Sequence, residues 1–458
     1  MYKIYLSLLL ISSAYSQSIG FDEVLDLTLK NSKDLKNQEL NINLTKQDIK
    51  NVNSISYGKL YFEEQINRTN HSGYVFNSKL SSREASFNDF GAVQNKGTSD
   101  TLNVEPNNLN YPKARNNFTT KLNYDIPIFT GFKLTNQKEI LKLKKKIDEI
   151  KFKLDVNELS FEVLKAYNGA VVAKEFIKAT KKARDSILYV VQTANAFHKE
   201  GLVTKIDVKQ ARVYELNINS KQIDAQNNFD LALAYLRFLT SNDNITNVNE
   251  LKYINPNTLD FDLLYKSALA NKSNLKIQKL NSKIKKKNIE LANSEFYPSV
   301  YSHLEYGFND DEFTLSNDKD YYNVVIGLKY TIFDNTRNAQ KQKNKIQYKQ
   351  ASLNYQKLKD FTKLELKKAL LDLKSKEKVL KVKEEAFLLS KEIFKQSQLM
   401  YKNRLIAMTN LLKQEANMRN NQAQVILAKY ESSLAKARIT LISGNSITRN
   451  STIKKAKK

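Results

Sequence analysis

The chain carries one pattern twice. Phe21-Asp22 through Asn41 lies on Phe261-Asp262 through Asn281 at an offset of 240. The overlay matches Leu29 with Leu269, Asn31 with Asn271, Leu35 with Leu275, Gln38 with Gln278 and Leu40 with Leu280. Further on, Tyr124-Asp125-Ile126-Pro127-Ile128-Phe129 lies on residues 328–333 at an offset of 204, and Gly201-Leu202-Val203 on Arg404-Leu405-Ile406 at 203. A duplication this long fixes the architecture before any side-chain chemistry is considered. Because the offset falls from 240 to 204, the first copy holds 36 additional residues between Tyr57 and Ile128, which predicts one much longer loop.

Residues 1–16 have the form of a secretory signal, with Lys3, the apolar run Leu6 to Ile11 and the small-x-small site Ala14-Tyr15-Ser16. The chain has no cysteine, which excludes disulfides and a lipid anchor on an N-terminal Cys. An exported chain without Cys fits a bacterial envelope. No segment approaches the ~18 consecutive apolar residues of a spanning helix, so a membrane crossing has to use strands. The net charge of +26 comes from Lys spread along helical faces among Glu and Asp. It reads as solvated helix surface and not as a nucleic-acid site; anionic lipid or lipopolysaccharide is the one partner class that it leaves open.

All five prolines lie outside the long helical stretches, and 336–443 contains neither Gly nor Pro. Val379, Ala386, Ile393 and Met400 recur every seven residues, each with an apolar neighbour, and Phe176, Ala183, Val190 and Phe197 repeat the spacing in the first copy. Sevenfold recurrence predicts supercoiled helix packing. Each long helix is predicted to run roughly 67 residues, about 100 Å at 1.5 Å per residue, to a turn near 201 or 404. A shorter helix then returns to Leu239 or Ile442.

Before each long helix the period changes to two. Phe118, Thr120, Leu122, Tyr124, Ile126 and Ile128 alternate with polar residues, and Tyr322, Val324, Ile326, Leu328, Tyr330 and Ile332 do the same later. Val300, Leu304, Tyr306 and Phe308 form a partner face, as do Leu60, Phe62 and Ile66, where Glu64 interrupts the apolar row. About ten alternating residues with aromatics is the pattern of a membrane strand. Four strands cannot close a barrel, and open edges are forbidden in lipid, so the barrel is expected to be shared between copies. Three copies give twelve strands; closure by two stays open at this point.

With these features in place the chain resembles the TolC-like outer-membrane efflux protein family over nearly its whole mature length. The resemblance rests on Phe21-Asp22-Glu23-Val24-Leu25 and Phe261-Asp262-Leu263-Leu264, on residues 124–132, on the turn Lys199 to Val208 and on Leu231 to Leu236. It implies a mostly α fold with a shared 12-stranded transmembrane β-barrel in a homotrimer, and a long α-helical tunnel in the periplasm. The implied organisation is a signal peptide (1–16), a first repeat (17–240), a linker (241–260), a second repeat (261–443) and a basic tail (444–458), which is expected to be disordered from Ile447 and has no assigned role. The implied function is the exit duct of a tripartite efflux pump or a type I secretion system. Its partners would be sister copies, a periplasmic adaptor, an inner-membrane transporter and outer-membrane lipid. Adaptor docking falls on Gly201, Leu202, Val203, Arg404, Leu405 and Ile406, with Arg404 standing where the first turn has glycine. Some members narrow the tunnel entrance with second-repeat aspartates; the matching positions here are Asn410 and Lys413, while Asp207 keeps its acid in the first repeat.

No catalytic constellation is present. His71, His198 and His303 are far apart in sequence and none has a Cys or carboxylate at ligand spacing. Gly never forms GxGxxG. Neither enzyme activity nor a cofactor nor a bound metal is expected. The reading from another class is a periplasmic coiled-coil scaffold or adaptor protein without a pore, which would have no use for the alternating strands.

Overall fold

The computed structural model describes residues 17–448. The leader 1–16 and the last ten residues of the tail lie outside the described residues. In chain order the elements are β1 (Gln17–Ile19), α1 (Phe21–Asn31), α2 (Lys33–Ile55), β2 (Lys59–Thr69), α3 (Ser72–Ser81), three short 3-10 turns, α4 (Asn107–Asn110), β3 (Arg115–Phe129), α5 (Lys133–Lys199), α6 (Lys205–Thr240) and β4 (Ile245–Val248). The second half has α7 (Phe261–Asn271), α8 (Ser273–Asn293), a 3-10 turn, β5 (Ser299–Asp310), β6 (Asp320–Lys329), α9 (Thr336–Lys402) and α10 (Met408–Ile442). Among the described residues, no helix is long and apolar enough to cross a membrane. Both long helices are 67 residues; α9 runs through the Gly- and Pro-free span, while α5 continues through Gly169.

The chain forms two compact units. The helical unit holds residues 17–42, 147–279 and 352–448. The duplication is visible in its packing. Val163, Tyr167 and Ala170 of α5 are buried against Val24 and Leu29 of α1, while Leu366 and Leu373, at the 203 offset from Val163 and Ala170, are buried with Leu264 of α7 and Ile439 of α10. Both copies interrupt the opening helix at matching positions. The Ser32 N–H donates to the Thr28 carbonyl at 2.9 Å and the Lys272 N–H to the Ala268 carbonyl at 2.9 Å. Near the 201 and 404 turns a third cluster joins all four long helices through Ala183, Ile187, Ile218, Phe394, Tyr401 and Leu411. Of the sevenfold positions, Ala183 and Val190 are buried, but Val379, Ile393 and Met400 are 41–49% exposed while their neighbours Phe394 and Tyr401 are buried. These three positions are therefore left uncovered by the described residues of a single chain.

Two findings in this unit differ from the sequence reading. β1 and β4 form a parallel pair through which the linker after α6 joins the start of the chain. Segments of three and four residues carry no readable period. The beginning of the tail is ordered by packing: Ile447 is buried against the first cluster, and the Ser446 hydroxyl donates to the Asn157 side chain at 2.9 Å.

The second unit (43–146 and 280–351) contains one antiparallel sheet in the order β2-β3-β5-β6. The centre of the sheet, β3 with β5, joins the two copies of the repeat. Strand alternation gives it two unlike faces. Leu60, Phe62, Ile66, Val324, Ile326 and Leu328 stand exposed on one. Glu63, Lys121, Asn123, Asp125, Glu305 and Tyr321 occupy the other by register. Glu64 sits on the apolar face directly opposite Thr120, whose hydroxyl donates to its carboxylate. That bond satisfies one carboxylate oxygen; the other, Oε1, is buried without a partner among the described residues. The polar face also corrects one expectation about histidine. His303 Nδ1 lies 2.6 Å from Asp125, because β3–β5 register brings together residues 178 apart in sequence, and Nε2 lies 3.5 Å from Glu305, two residues on along β5.

The long loop after β2 is not featureless. α3 lies over the polar face at one edge of the sheet, where Ser78 meets Asn117 and Arg115, and Lys319 reaches the Ser82 carbonyl at 2.9 Å. Arg115 pairs with Glu84, and Arg83 donates to the carbonyls of Asp318 and Asp320.

Candidate functional site

The two turns singled out in the sequence adopt one backbone motif. After α5, the Gly201 N–H donates to the His198 carbonyl at 3.0 Å and the Leu202 N–H to the Phe197 carbonyl at 2.8 Å. After α9, the Arg404 N–H donates to Tyr401 at 2.9 Å and the Leu405 N–H to Met400 at 2.8 Å. These nested bonds satisfy the last helical carbonyls and require a left-handed residue between them. Gly201 supplies it with φ +66° and Arg404 with φ +64°. The arginine therefore departs from glycine in chemistry but not in conformation, and its side chain stands exposed.

The helices leaving the turns start differently. Thr204 caps α6: its hydroxyl accepts from the Asp207 N–H at 3.3 Å, and the Asp207 carboxylate accepts from the Thr204 N–H at 3.0 Å. Asp207, read as a tunnel-entrance residue, is thus engaged in a reciprocal cap. The matching start of α10 is Ala407, which has no side-chain cap. Asn410 is at the third position of that helix and Lys413 lies a turn on; both are exposed. The structure brings Leu202, Val203, Arg404, Leu405, Ile406 and Asp207 around one groove of about 400 Å³, and does not place Gly201, Asn410 or Lys413 on its wall. Leu405 is 68% exposed and Leu202 39%, while Val203 and Ile406 are half-buried.

Two features near the turns escaped sequence reading. Tyr401 on the groove wall is buried, yet its hydroxyl has no hydrogen-bond partner among the described residues. Deeper, Glu415 and Arg419 of α10 meet Tyr214 of α6. The Tyr214 hydroxyl donates to Glu415 and accepts from Arg419 Nη2 at 2.8 Å; the ion pair itself spans 3.5 Å. Glu415 is fully buried, and its Oε1 and Arg419 Nη1 lack partners among the described residues. Burial pushes the Glu415 carboxyl above its ordinary range, against the opposing pull of Tyr214 and Arg419. The i, i+4 spacing of Glu415 and Arg419 is legible in sequence; the tyrosine, 201 residues from Glu415, is not.

Elsewhere, Glu84, Asp310 and Asp311 lie close enough to share a cation. Arg115 and Lys319 already occupy that cluster, at 3.5 Å from Asp311 and 3.6 Å from Asp310, so it is an ion-pair network. Among the described residues, nothing assembles a nucleophile, a base and an oxyanion site.

The model of the outer membrane efflux protein family matches residues 24–242 and 264–445, the two copies of the repeat. No curated protein matches the chain. Among solved structures, the Campylobacter jejuni CmeC outer membrane channel is 17% identical and superposes with a TM-score of 0.75 over 96% of this chain and 89% of that one. The Vibrio cholerae outer membrane protein VceC is 12% identical, with a TM-score of 0.74 over 93% of this chain and 97% of that one. The Neisseria gonorrhoeae MtrE outer membrane channel, in its open state, is 14% identical, with a TM-score of 0.73 over 94% and 90%. The duplicated hairpins, the four-stranded sheet and these matches agree, and the chain belongs to the outer membrane efflux protein family.

Proposed function

We propose that the protein is an exit duct of the outer membrane, built by three copies and supplied from the periplasmic side by an adaptor and an inner-membrane transporter. The observation that carries this is the sheet. It presents an exposed apolar face, and its outer strands β2 and β6 have free edges of eleven and ten residues. Unpaired edges are untenable in lipid. Strand direction alternates across β2-β3-β5-β6, so β6 of one copy meets β2 of the next antiparallel, and a ring closes without a parallel joint. Three copies give the twelve strands of an even-numbered barrel. The exposed sevenfold positions Val379, Ile393 and Met400 supply a helical seam between copies. The groove between the turns, where Leu202, Leu405 and Ile406 stand beside Asp207 and Arg404, suits an adaptor helix tip. A tripartite pump and a type I secretion system both fit this reading.

The test is purification from outer-membrane detergent extracts. A species of three 52.8 kDa chains, less any removed leader, that conducts ions across a planar bilayer is the expected result. A soluble periplasmic monomer without conductance would replace this reading with the coiled-coil scaffold.

A further inference from the structure

The sheet has two edges of opposite electrostatic character. At one, α2 enters β2, β3 leads to α5, α8 enters β5 and β6 leads to α9. At the other are the connections β2–β3 and β5–β6. The helix edge, taken as 43–58, 130–146, 280–298 and 334–351, carries seventeen Lys and Arg against five Asp and Glu. The loop edge, 70–114 and 311–319, carries five against seven. Thus 70 of 458 residues hold +12 of the net +26, a concentration that a uniformly Lys-rich chain would not produce.

Some of these bases pair with carboxylates, as Lys133 does with Glu295 and Lys287 with Glu290, but others do not. Lys50, Lys286, Lys343 and Lys345 are exposed and make no salt bridge among the described residues. They lie five to nine residues from the strand-side ends of their helices, roughly 8–14 Å along the axis. That is about the reach of electrostatic attraction at moderate salt. Between them and the strands stand exposed Tyr57, Phe132, Tyr297, Tyr330 and Phe333. Aromatics followed by free bases is the order expected across a membrane–water interface. At the loop edge, by contrast, Lys79 pairs with Asp89, Arg83 with Asp320, and Lys319 with Glu84 and Asp310.

We propose that the helix-edge collar binds the anionic headgroups of phospholipids in the leaflet that borders it. This rests on the membrane reading above. The shared chemistry is an anionic phosphate, a diester in the phospholipid and a sugar monoester in the glycolipid of the opposite leaflet; at the loop edge Lys79, Arg83 and Lys319 are committed to carboxylates, so the phospholipid is the occupant. The collar fixes the depth of the strands and their orientation across the bilayer.

The test uses the full chain reconstituted in phosphatidylcholine vesicles containing spin-labelled phosphatidylglycerol or spin-labelled phosphatidylcholine. The expected result is a motionally restricted lipid population with a preference of about five-fold for phosphatidylglycerol. Molar salt and the K50Q/K286Q/K343Q/K345Q variant should each bring the preference toward unity while trimer assembly and conductance persist. Restricted lipid of both kinds without a preference overturns the collar and leaves the channel intact. An equal preference in the variant overturns it as well. Absence of restricted lipid altogether overturns the membrane reading itself.

Discussion

At residue scale, Arg404 and Glu415 each occupy a place that a different residue would fill more comfortably. A left-handed backbone costs a non-glycine residue roughly 1–2 kcal/mol. Arg404→Gly should therefore tighten the second turn by about 1 kcal/mol, seen as slower amide exchange at Leu405, whose N–H closes the turn onto Met400. Gly201→Ala should loosen the first turn by a similar amount; a Cβ there meets nothing within 4 Å, so the effect is purely conformational. Unchanged exchange in both variants would refute the strain argument. Glu415 gives a pH prediction. Its folded pKa lies above the ordinary 4.5, so the folded state holds the proton more tightly than the unfolded chain. Its contribution to stability is then greatest below pH 4.5 and is lost as pH rises through the folded value. Glu415→Gln should flatten this part of the stability–pH curve, measured as unfolding midpoints from acidic to neutral pH. A wild-type slope in the variant would mean that another group titrates.

At element scale, the two returning helices are an internal control for capping. α6 begins with the Thr204–Asp207 box and α10 with Ala407, at equivalent places in the repeat. Thr204→Ala should destabilise the start of α6 by about 1 kcal/mol, and Ala407→Ser should stabilise α10 by a comparable amount. Hydrogen exchange in the first turns of the two helices reads both effects. Equal protection in parent and variants would show that tertiary packing near Met408 and Leu411, both buried, holds the helix ends without help from caps.

At the scale of the whole molecule, assembly and docking should separate. The double variant Leu202→Asp with Leu405→Asp changes two exposed side chains at the turns and none of the exposed seam positions Val379, Ile393 or Met400. Trimers should form normally while export of drugs, metals or polypeptide falls to the level of a deletion strain. Normal export in that variant would remove adaptor docking from these turns. Comparing parent and deletion strains across those cargo classes would also identify what the duct carries.

Long, strongly periodic elements were legible in the sequence because each rests on local chemistry. The second 67-residue helix follows from missing Gly and Pro and the first from its sevenfold match to it, the strand faces from alternation, and the duplication from self-similarity. Contacts set by register were not legible. His303 meets Asp125 only because β3 pairs with β5, Tyr214 meets Glu415 only because α6 packs on α10, and β1 and β4 are too short to have a period. The repeat itself thus determined what the elements are. Tertiary structure decided which side chains they bring together, because side chains far apart in sequence meet only when the backbone between them has folded.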